Sequence, residues 1–257
     1  MRIASFNANS IRARLPIILD WLKASSPDVL CIQETKVQDP DFPREAIEEA
    51  GYNCAFKGQK SYNGVAILST APIEEVRCGL DDGGPPDEPR LIAARVRGIR
   101  IVNTYVPQGV SPEAEQFHYK LSWFARLRSY FERHCSPDEP LVWLGDFNVA
   151  PEPIDVYDAD ILLGSVCFHP DEHAALEKTR EWGFVDIFRR HNHEEKQYSF
   201  WDYRLPRAVQ RDLGWRIDHI WATEPLAAKS TAAWIDKEPR LRPRPSDHTF
   251  IVAEFDM

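Results

Sequence analysis

Apolar residues come in short runs along this chain, and many of the runs stop at a carboxylate, a carboxamide or a hydroxyl. Leu141-Val142-Trp143-Leu144 follows Pro140 as a buried strand and runs out at Gly145-Asp146-Phe147-Asn148. Asp146 and Asn148 are two apart, so extended backbone turns both the same way. Taken alone, the pair also fits an Asx turn closing a strand. Val29-Leu30-Cys31-Ile32 repeats the design and ends at Gln33-Glu34. Residues 2–7 alternate as a strand and lead into Asn7-Ala8-Asn9-Ser10. Residues 91–96 and 99–106 read as a hairpin turning at Gly98, and its second strand ends in Thr104-Tyr105-Val106-Pro107-Gln108-Gly109.

Helical spacing predicts helices over residues 15–23, with Pro16 in the first turn, and over 113–135, with Phe117, Leu121, Phe124 and Leu127 on one stripe. Shorter helices are expected at 174–182 and 185–190, and paired strands at 52–56 and 64–68. The Gly-, Pro- and Asp-rich segment 79–89 reads as an exposed loop, and a Pro- and Asp-rich loop is expected from the end of the 141–148 stretch to about residue 170. Residues 214–221 alternate like a half-buried strand, and 249–255 form the last one. Both halves contain a helix followed by an apolar strand ending in an acid. Strands outnumber helices and no linker divides the chain. The expected fold is a single α/β domain over residues 1–257, with sheets packed face to face and helices outside.

Composition narrows this picture. At 257 residues with an ordinary apolar fraction, the chain can build a sizeable core. The cysteines at 31, 54, 78, 135 and 167 are odd in number and lack metal-site spacing, so reduced thiols and a cytoplasmic setting are expected. The N-terminus turns polar too early for a signal peptide, and no apolar run approaches the ~20 residues of a membrane span. A net charge of −9 argues against coating nucleic acid through bulk charge, but is compatible with a local basic rim. Arg204, Arg207, Arg211 and Arg216 crowd one segment and Arg240, Arg242 and Arg244 another; each cluster by itself reads as a solvated loop.

The strand ends and turns supply Asn7, Glu34, Tyr105, Asp146, Asn148, Asp218, Asp247 and His248. This oxygen-rich set contains no cysteine, which favours Mg²⁺, with Mn²⁺ as a substitute, over zinc. One histidine among carboxylates fits a phosphate-directed hydrolase in which a carboxylate activates water and the imidazole meets phosphorus oxygens.

Ser5-Phe6-Asn7, Gln33-Glu34-Thr35-Lys36, Tyr105-Val106-Pro107-Gln108-Gly109, Gly145-Asp146-Phe147-Asn148, Arg216-Ile217-Asp218 and Ser246-Asp247-His248 together resemble the exonuclease III family of abasic-site endonucleases. They occur in that family's order and span nearly the whole chain. The resemblance implies a four-layer α/β sandwich, two packed mixed β-sheets flanked by helices. It implies a metal-dependent nuclease that cuts 5′ to abasic sites, removes 3′ blocking groups or degrades duplex DNA 3′ to 5′. Glu34 would be the main metal carboxylate, with Asn7 and Asp247 near it, and Asp146, Asn148 and His248 adjoining the same ion. Asp146 would orient or deprotonate water, Asn148 position that water or the phosphate, and Tyr105 assist at the phosphate. His248 would contact the phosphate, with Asp218 fixing its tautomer.

Phe200, Trp215 and Ile217 match positions that line the family's pocket for a flipped-out sugar without a base. Gln108 and Arg204 match positions that enter the duplex, and Lys36 can meet a phosphate. The expected partner is double-stranded DNA with abasic sites or blocked 3′ ends, bound by a monomer away from any membrane. The chain departs from the family at Phe168-His169-Pro170-Asp171-Glu172-His173, where many members have Phe-x-Pro-Glu-Glu-Arg, and at Asp212, where many have asparagine. Two other readings fit parts of the pattern: a phosphatase of the same superfamily acting on a soluble phosphoester, and a non-catalytic relative that binds nucleic acid.

Overall fold

Apolar runs without polar alternation suit strands covered on both faces, and the central strands of this protein are covered that way. The computed structural model describes residues 1–84 and 88–257. In chain order the elements are β1 (Arg2–Asn7), α1 (Ile11–Ser25), β2 (Val29–Gln33), α2 (Arg44–Glu49), β3 (Asn53–Lys57), β4 (Val65–Ser69), β5 (Glu74–Cys78), β6 (Leu91–Val96), β7 (Ile99–Tyr105), α3 (Glu115–His134), β8 (Leu141–Asp146), α4 (Ala159–Leu162), α5 (Pro170–Arg180), β9 (Phe184–Asp186), α6 (Ile187–His191), β10 (Asp218–Thr223), α7 (Glu224–Ala227), β11 (Ser230–Asp236) and β12 (Phe250–Phe255). The strands form two six-stranded sheets, ordered β11-β12-β1-β2-β4-β3 and β5-β6-β7-β8-β10-β9. Both sheets are mixed, with β1 parallel to β2 and β7 parallel to β8.

Between the sheets, Ile3, Val29 and Ile67 of the first pack with Ile101, Leu144 and Ile220 of the second. The outer face of the first sheet places Phe6 and Leu30 against Ile18, Trp21 and Leu22 of α1. The outer face of the second places Val102 and Trp143 against Phe124, Leu127 and Phe131 of α3. Each fully buried Ile, Leu or Val contributes roughly 1.5–3 kcal/mol, but this term has no direction. Direction comes from buried amides. Asn103 of β7 donates to Ile32 O and Ala66 O across the sandwich at 3.0 and 2.9 Å, and Gln33 donates to Asn103 Oδ1 at 2.7 Å. These bonds align the two sheets just below the strand ends that carry Glu34 and Tyr105.

The two sheets repeat one design. β1-α1-β2 and β7-α3-β8 are each a helix-linked parallel pair, continued antiparallel by β4-β3 and by β10-β9. Glu34, one residue past β2, and Asp146, the last residue of β8, are therefore counterparts.

Several local expectations need correction. The first helix begins at Ile11, so Pro16 lies inside it and not in its first turn. The inward stripe of α3 is Phe117, Lys120, Trp123, Phe124, Leu127, Tyr130 and Phe131, with Leu121 only half-buried. Val185 sits in β9 and only the residues from Ile187 onward turn helical, because β9 pairs with β10. Of residues 214–221, only those from Asp218 belong to a strand, and it is buried throughout; Trp215 bridges instead to Val156 and Phe200. Within the expected loop at 79–89, residues 85–87 lie outside the described residues, and Leu80 is buried, not exposed.

Candidate active site

Strand register assembles one half of the site. Tyr105 and Asp218 both lie directly opposite Asp146, on the two strands flanking β8. Gly145 makes the approach possible: at φ +136°, a Cβ there would come 2.0 Å from Thr104 O. Glu34 arrives from the other sheet in left-handed backbone (φ 51°), as does Lys36 (φ 54°). That conformation costs a non-glycine residue about 1 kcal/mol. It is held by Ser10 N donating to Glu34 O at 2.8 Å and by Lys36 N donating to Asn63 O at 2.9 Å. Gly64 gives this turn room, because a Cβ there would meet Thr35 Oγ1 at 2.0 Å.

Asn7 joins the two sheets chemically. Its Nδ2 donates to Glu34 Oε1 and to Asp146 Oδ2, each at 2.8 Å. Asn148, also left-handed (φ 52°), donates its backbone N–H to Asp146 Oδ1 at 2.9 Å and its amide to Val106 O at 2.9 Å and Asp146 Oδ2 at 3.2 Å. His248 Nδ1 lies 2.8 Å from Asp218 Oδ2, and its Nε2 lies 3.8 Å from Asp146 Oδ2. Asp247 is one step removed, accepting from Asn9 Nδ2 at 2.9 Å. Lys36 pairs with Glu34 Oε2 at 2.7 Å and donates to Asn9 Oδ1.

Burial gives these groups unusual acidities. Burial raises Asp146, and Asp218 and Glu34 add to it; the opposing pull of His248 leaves the carboxyl at about 7. Burial would lower His248, but the Asp218 and Asp146 carboxylates outweigh it and push the imidazole up to about 10. Burial alone would raise Glu34, yet Lys36 and the hydrogen bonds from Lys36 and Asn7 hold it below its ordinary value. Tyr105 is held well above its ordinary value by burial and by the Glu34 and Asp146 charges, so it stays a neutral phenol. Glu34, Asp146 and His248 offer ligand atoms all within 4.8 Å of one another. Such a cluster, rich in carboxylate oxygen, can hold a metal ion.

The cleft over this cluster has a volume of about 360 Å³. It adjoins a hollow of about 430 Å³, and the two share Gln108, Cys167, Phe200, Asp202, Arg204 and Ile217. Trp215 completes the apolar wall of the second hollow. The Phe200 ring lies 4.8 Å from His248 and 5.7 Å from Trp215, linking wall to cluster. A larger hollow of about 950 Å³, beside Asp39–Ala46, touches none of the expected site residues.

Each expected site residue therefore lines or adjoins one cleft, but the expected basic rim is partly spent. Arg204, 82% exposed, is paired with Asp202 at 2.7 Å. Arg242 is paired with Glu238 and Asp20. Arg216 is not in a solvated loop at all. It is fully buried, forks onto both oxygens of Asp155 at 2.6 and 2.9 Å, and reaches Asp186 at 2.8 Å and His219 Nδ1 at 3.0 Å. Arginine cannot accept, so His219 Nδ1 does, and His219 Nε2–H donates to Val149 O at 2.9 Å. This node ties the segment carrying Trp215, Ile217 and Asp218 to the backbone after Asn148.

Asp155, Asp202 and Lys120 were not expected to matter, and nothing in their spacing marks them. Asn9 carries one readable signal, its two-residue offset from Asn7. The departures are accommodated locally. His173 Nε2 lies 2.9 Å from Ala150 O, which anchors that loop without an arginine. Asp212 takes left-handed backbone (φ 53°), where asparagine and aspartate are both at home.

Comparison with known proteins places this geometry among relatives. The model of the Endonuclease/Exonuclease/phosphatase family matches residues 4–248. Exodeoxyribonuclease III of Haemophilus influenzae is 32% identical over 267 residues, covering 99% of this chain and 100% of that protein. The structure of an AP endonuclease from Archaeoglobus fulgidus superimposes with a TM-score of 0.97 at 48% identity, and 100% of each chain is covered. A 3′ phosphatase from Neisseria, bound to a product DNA hairpin, superimposes with a TM-score of 0.96 at 36% identity, again with 100% of each chain covered.

Proposed function

The chain belongs to the Endonuclease/Exonuclease/phosphatase family, and on that footing we propose that it is a divalent-metal-dependent DNA repair phosphodiesterase. Its substrate is duplex DNA with an abasic site or a blocked 3′ end. The observation that carries this reading is the convergence of Asn7, Glu34, Tyr105, Asp146, Asn148, Asp218 and His248 on one cleft with an apolar side pocket.

The donor set fits Mg²⁺. Two carboxylates from opposite sheets face each other with Asn7 between them; burial, with the Asp218 and Glu34 charges added, lifts Asp146, and a divalent cation would relieve the crowded negative charge. Glu34 and Asp146 would hold the ion, with Asn7 and Asn148 near them and Asp247 one step further out, on Asn9. When bound, it supplies charge neutralisation at the phosphate and lowers the cost of water attack. Asp146 then serves as the base that orients or deprotonates water. His248 stands between two carboxylates as an imidazolium, which suits contact with phosphate oxygens better than metal ligation. Asp218 fixes its orientation, and Tyr105 donates from a neutral phenol. Phe200, Trp215 and Ile217 give the side pocket an apolar wall, which suits the face of a deoxyribose without a base. Gln108 and Arg204 at the mouth, with Lys36, contact the DNA strand.

The test compares three duplexes in Mg²⁺: one with an internal abasic site, one with a 3′-phosphate and one undamaged. Processing of one or both damaged duplexes in preference to the intact one, abolished by EDTA, is expected. Turnover of a soluble phosphoester such as an inositol phosphate, without DNA cleavage, would reverse the reading.

A further inference from the structure

Lys120 has no part in the chemistry above, yet it is fully buried on the inner side of α3. A buried ammonium has three protons to place, and Lys120 places them on three different segments. Nζ donates to Gln108 O at 3.0 Å, to Asn148 O at 2.7 Å, and to Glu172. Gln108 follows β7, Asn148 follows β8, and Glu172 lies in the first turn of α5. Glu172 is itself fully buried, and its second oxygen accepts from His169 N at 3.1 Å. Asn148 needs such an anchor. It holds left-handed backbone at φ 52°, and its own side chain is committed to Val106 O and Asp146. The lysine also stands close to the turn after Gln108, since a Cβ on Gly109 would lie 3.5 Å from Lys120 Cδ.

We propose that Lys120, balanced by Glu172, is a positioning residue that clamps Gln108 and Asn148 at a fixed separation and so sets the opening of the cleft. The clamp stands on geometry alone; its effect on catalysis rests on the nuclease reading above. An apolar contact would bury the same area but would not direct two carbonyl groups toward one point. Displacements on the order of 1 Å at a reacting centre cost about 10²-fold in rate, so loosening either segment must reach the chemistry.

Lys120→Met combined with Glu172→Gln removes both buried charges together and avoids leaving one unpaired. In the full-length protein, hydrogen exchange in residues 106–111 and 147–150 is expected to quicken about 10-fold or more, while the centres of β6, β7 and β8 keep their protection. Abasic-site incision in Mg²⁺ should fall about 10-fold, and Asn148→Ala should cost less in this background than in the wild type, because the two changes share a path. Unchanged exchange in both segments, or strict additivity of the two changes, overturns the proposal. Should the double variant fail to fold, ¹⁵N spectroscopy of lysine side chains in the wild-type chain decides. A slowly exchanging Lys120 ammonium is expected, and a rapidly exchanging one overturns the clamp. Failure of the wild type to cleave DNA would remove the nuclease reading, while exchange and spectroscopy would still judge the clamp.

Discussion

Tyr105, Asp146 and Asp218 stand in one cross-strand row, whereas Gln108, Phe200 and Trp215 stand on irregular backbone around it. The row takes its position from hydrogen-bond ladders that continue through the sheet on either side, so many contacts share the task. The wall takes its position from a few buried charges. Arg216 on Asp155 holds the segment before β10, and Lys120 on Glu172 holds the segments after β7 and β8. A ladder loses little when one rung is altered. The wall has fewer such contacts: Lys120 stands on Glu172, and Arg216 shares Asp155 with Arg189, so removing a partner leaves a buried charge poorly paired. On the proposed reading, the reacting groups thus rest on many shared contacts and the wall of the side pocket on a few charged ones.

On that contrast, substitutions in the row, and in the imidazole of His248 bonded to it through Asp218, should remove activity and spare the fold. Asp146→Asn and His248→Ala are each expected to lower turnover by at least ~10²-fold and up to ~10⁴-fold, the range of general acid-base and electrostatic contributions. DNA binding, measured by fluorescence anisotropy, should persist, because neither change touches the mouth. Near-normal turnover in either variant would withdraw the assigned roles.

Arg216→Met should do the reverse. It leaves the fully buried Asp155 with only Arg189, which donates to one of its two oxygens, and loosening a buried ion-pair network from one side costs up to about 3–5 kcal/mol. Urea denaturation should show that loss, and the folded fraction should still bind the metal at Glu34 and Asp146. A stability change under 1 kcal/mol would mean that the pocket wall is held by something other than this node.

The same contrast explains what could be read in advance. Apolar runs ending in acids mark strand ends, so Glu34, Asp146 and the row around it were visible as pattern, and the layered architecture followed from runs too long to be half-exposed. The Arg216–Asp155 pair was invisible because its partners are 61 residues apart, and an arginine in an Arg-rich segment looks solvated. Lys120 was equally hidden, as one cation on a helix whose apolar stripe gives no sign that a lysine belongs to it. The edge strands β5 and β11 were missed for a related reason. Their residues are exposed or half-buried and carry little apolar signal.

A smaller effect sharpens the comparison through pH. His219 is buried and neutral within the Arg216 node, and burial together with Arg216 brings its pKa down from 6.5 to about 4. A folded-state pKa below the unfolded one means that the unfolded chain binds more protons between the two values. The neutral ring therefore stabilises the fold fully above pH 6.5, and this contribution is lost as pH falls toward 4. His219→Asn keeps a donor and an acceptor but does not titrate. Between pH 7 and pH 4.5, urea unfolding should show the wild type losing about 2–3 kcal/mol relative to the variant. A constant difference would show that the ring does not titrate in this window.

The smallest effect concerns His169, where the wall meets α5. Its Nδ1 accepts from Asp171 N at 3.1 Å to cap the helix, and its ring rests edge-on against Phe117 at 4.9 Å. Glycine at an N-cap costs only a few tenths of a kcal/mol, so His169→Gly should barely change the melting temperature. The ring nevertheless packs on Phe117 of α3, and His169 lies two residues past residues 164–167, which line the side pocket. Removing it should let that wall move. The ratio of abasic-site incision to exonuclease rate is then expected to shift by about threefold, equivalent to under 1 kcal/mol of differential transition-state binding. On the proposed reading both activities use the row of Tyr105, Asp146 and Asp218, so a change in that row should scale them together, whereas a change in the wall should separate them. An unchanged ratio in His169→Gly would leave this histidine as a helix cap and confine substrate choice to the residues on the other side of the pocket.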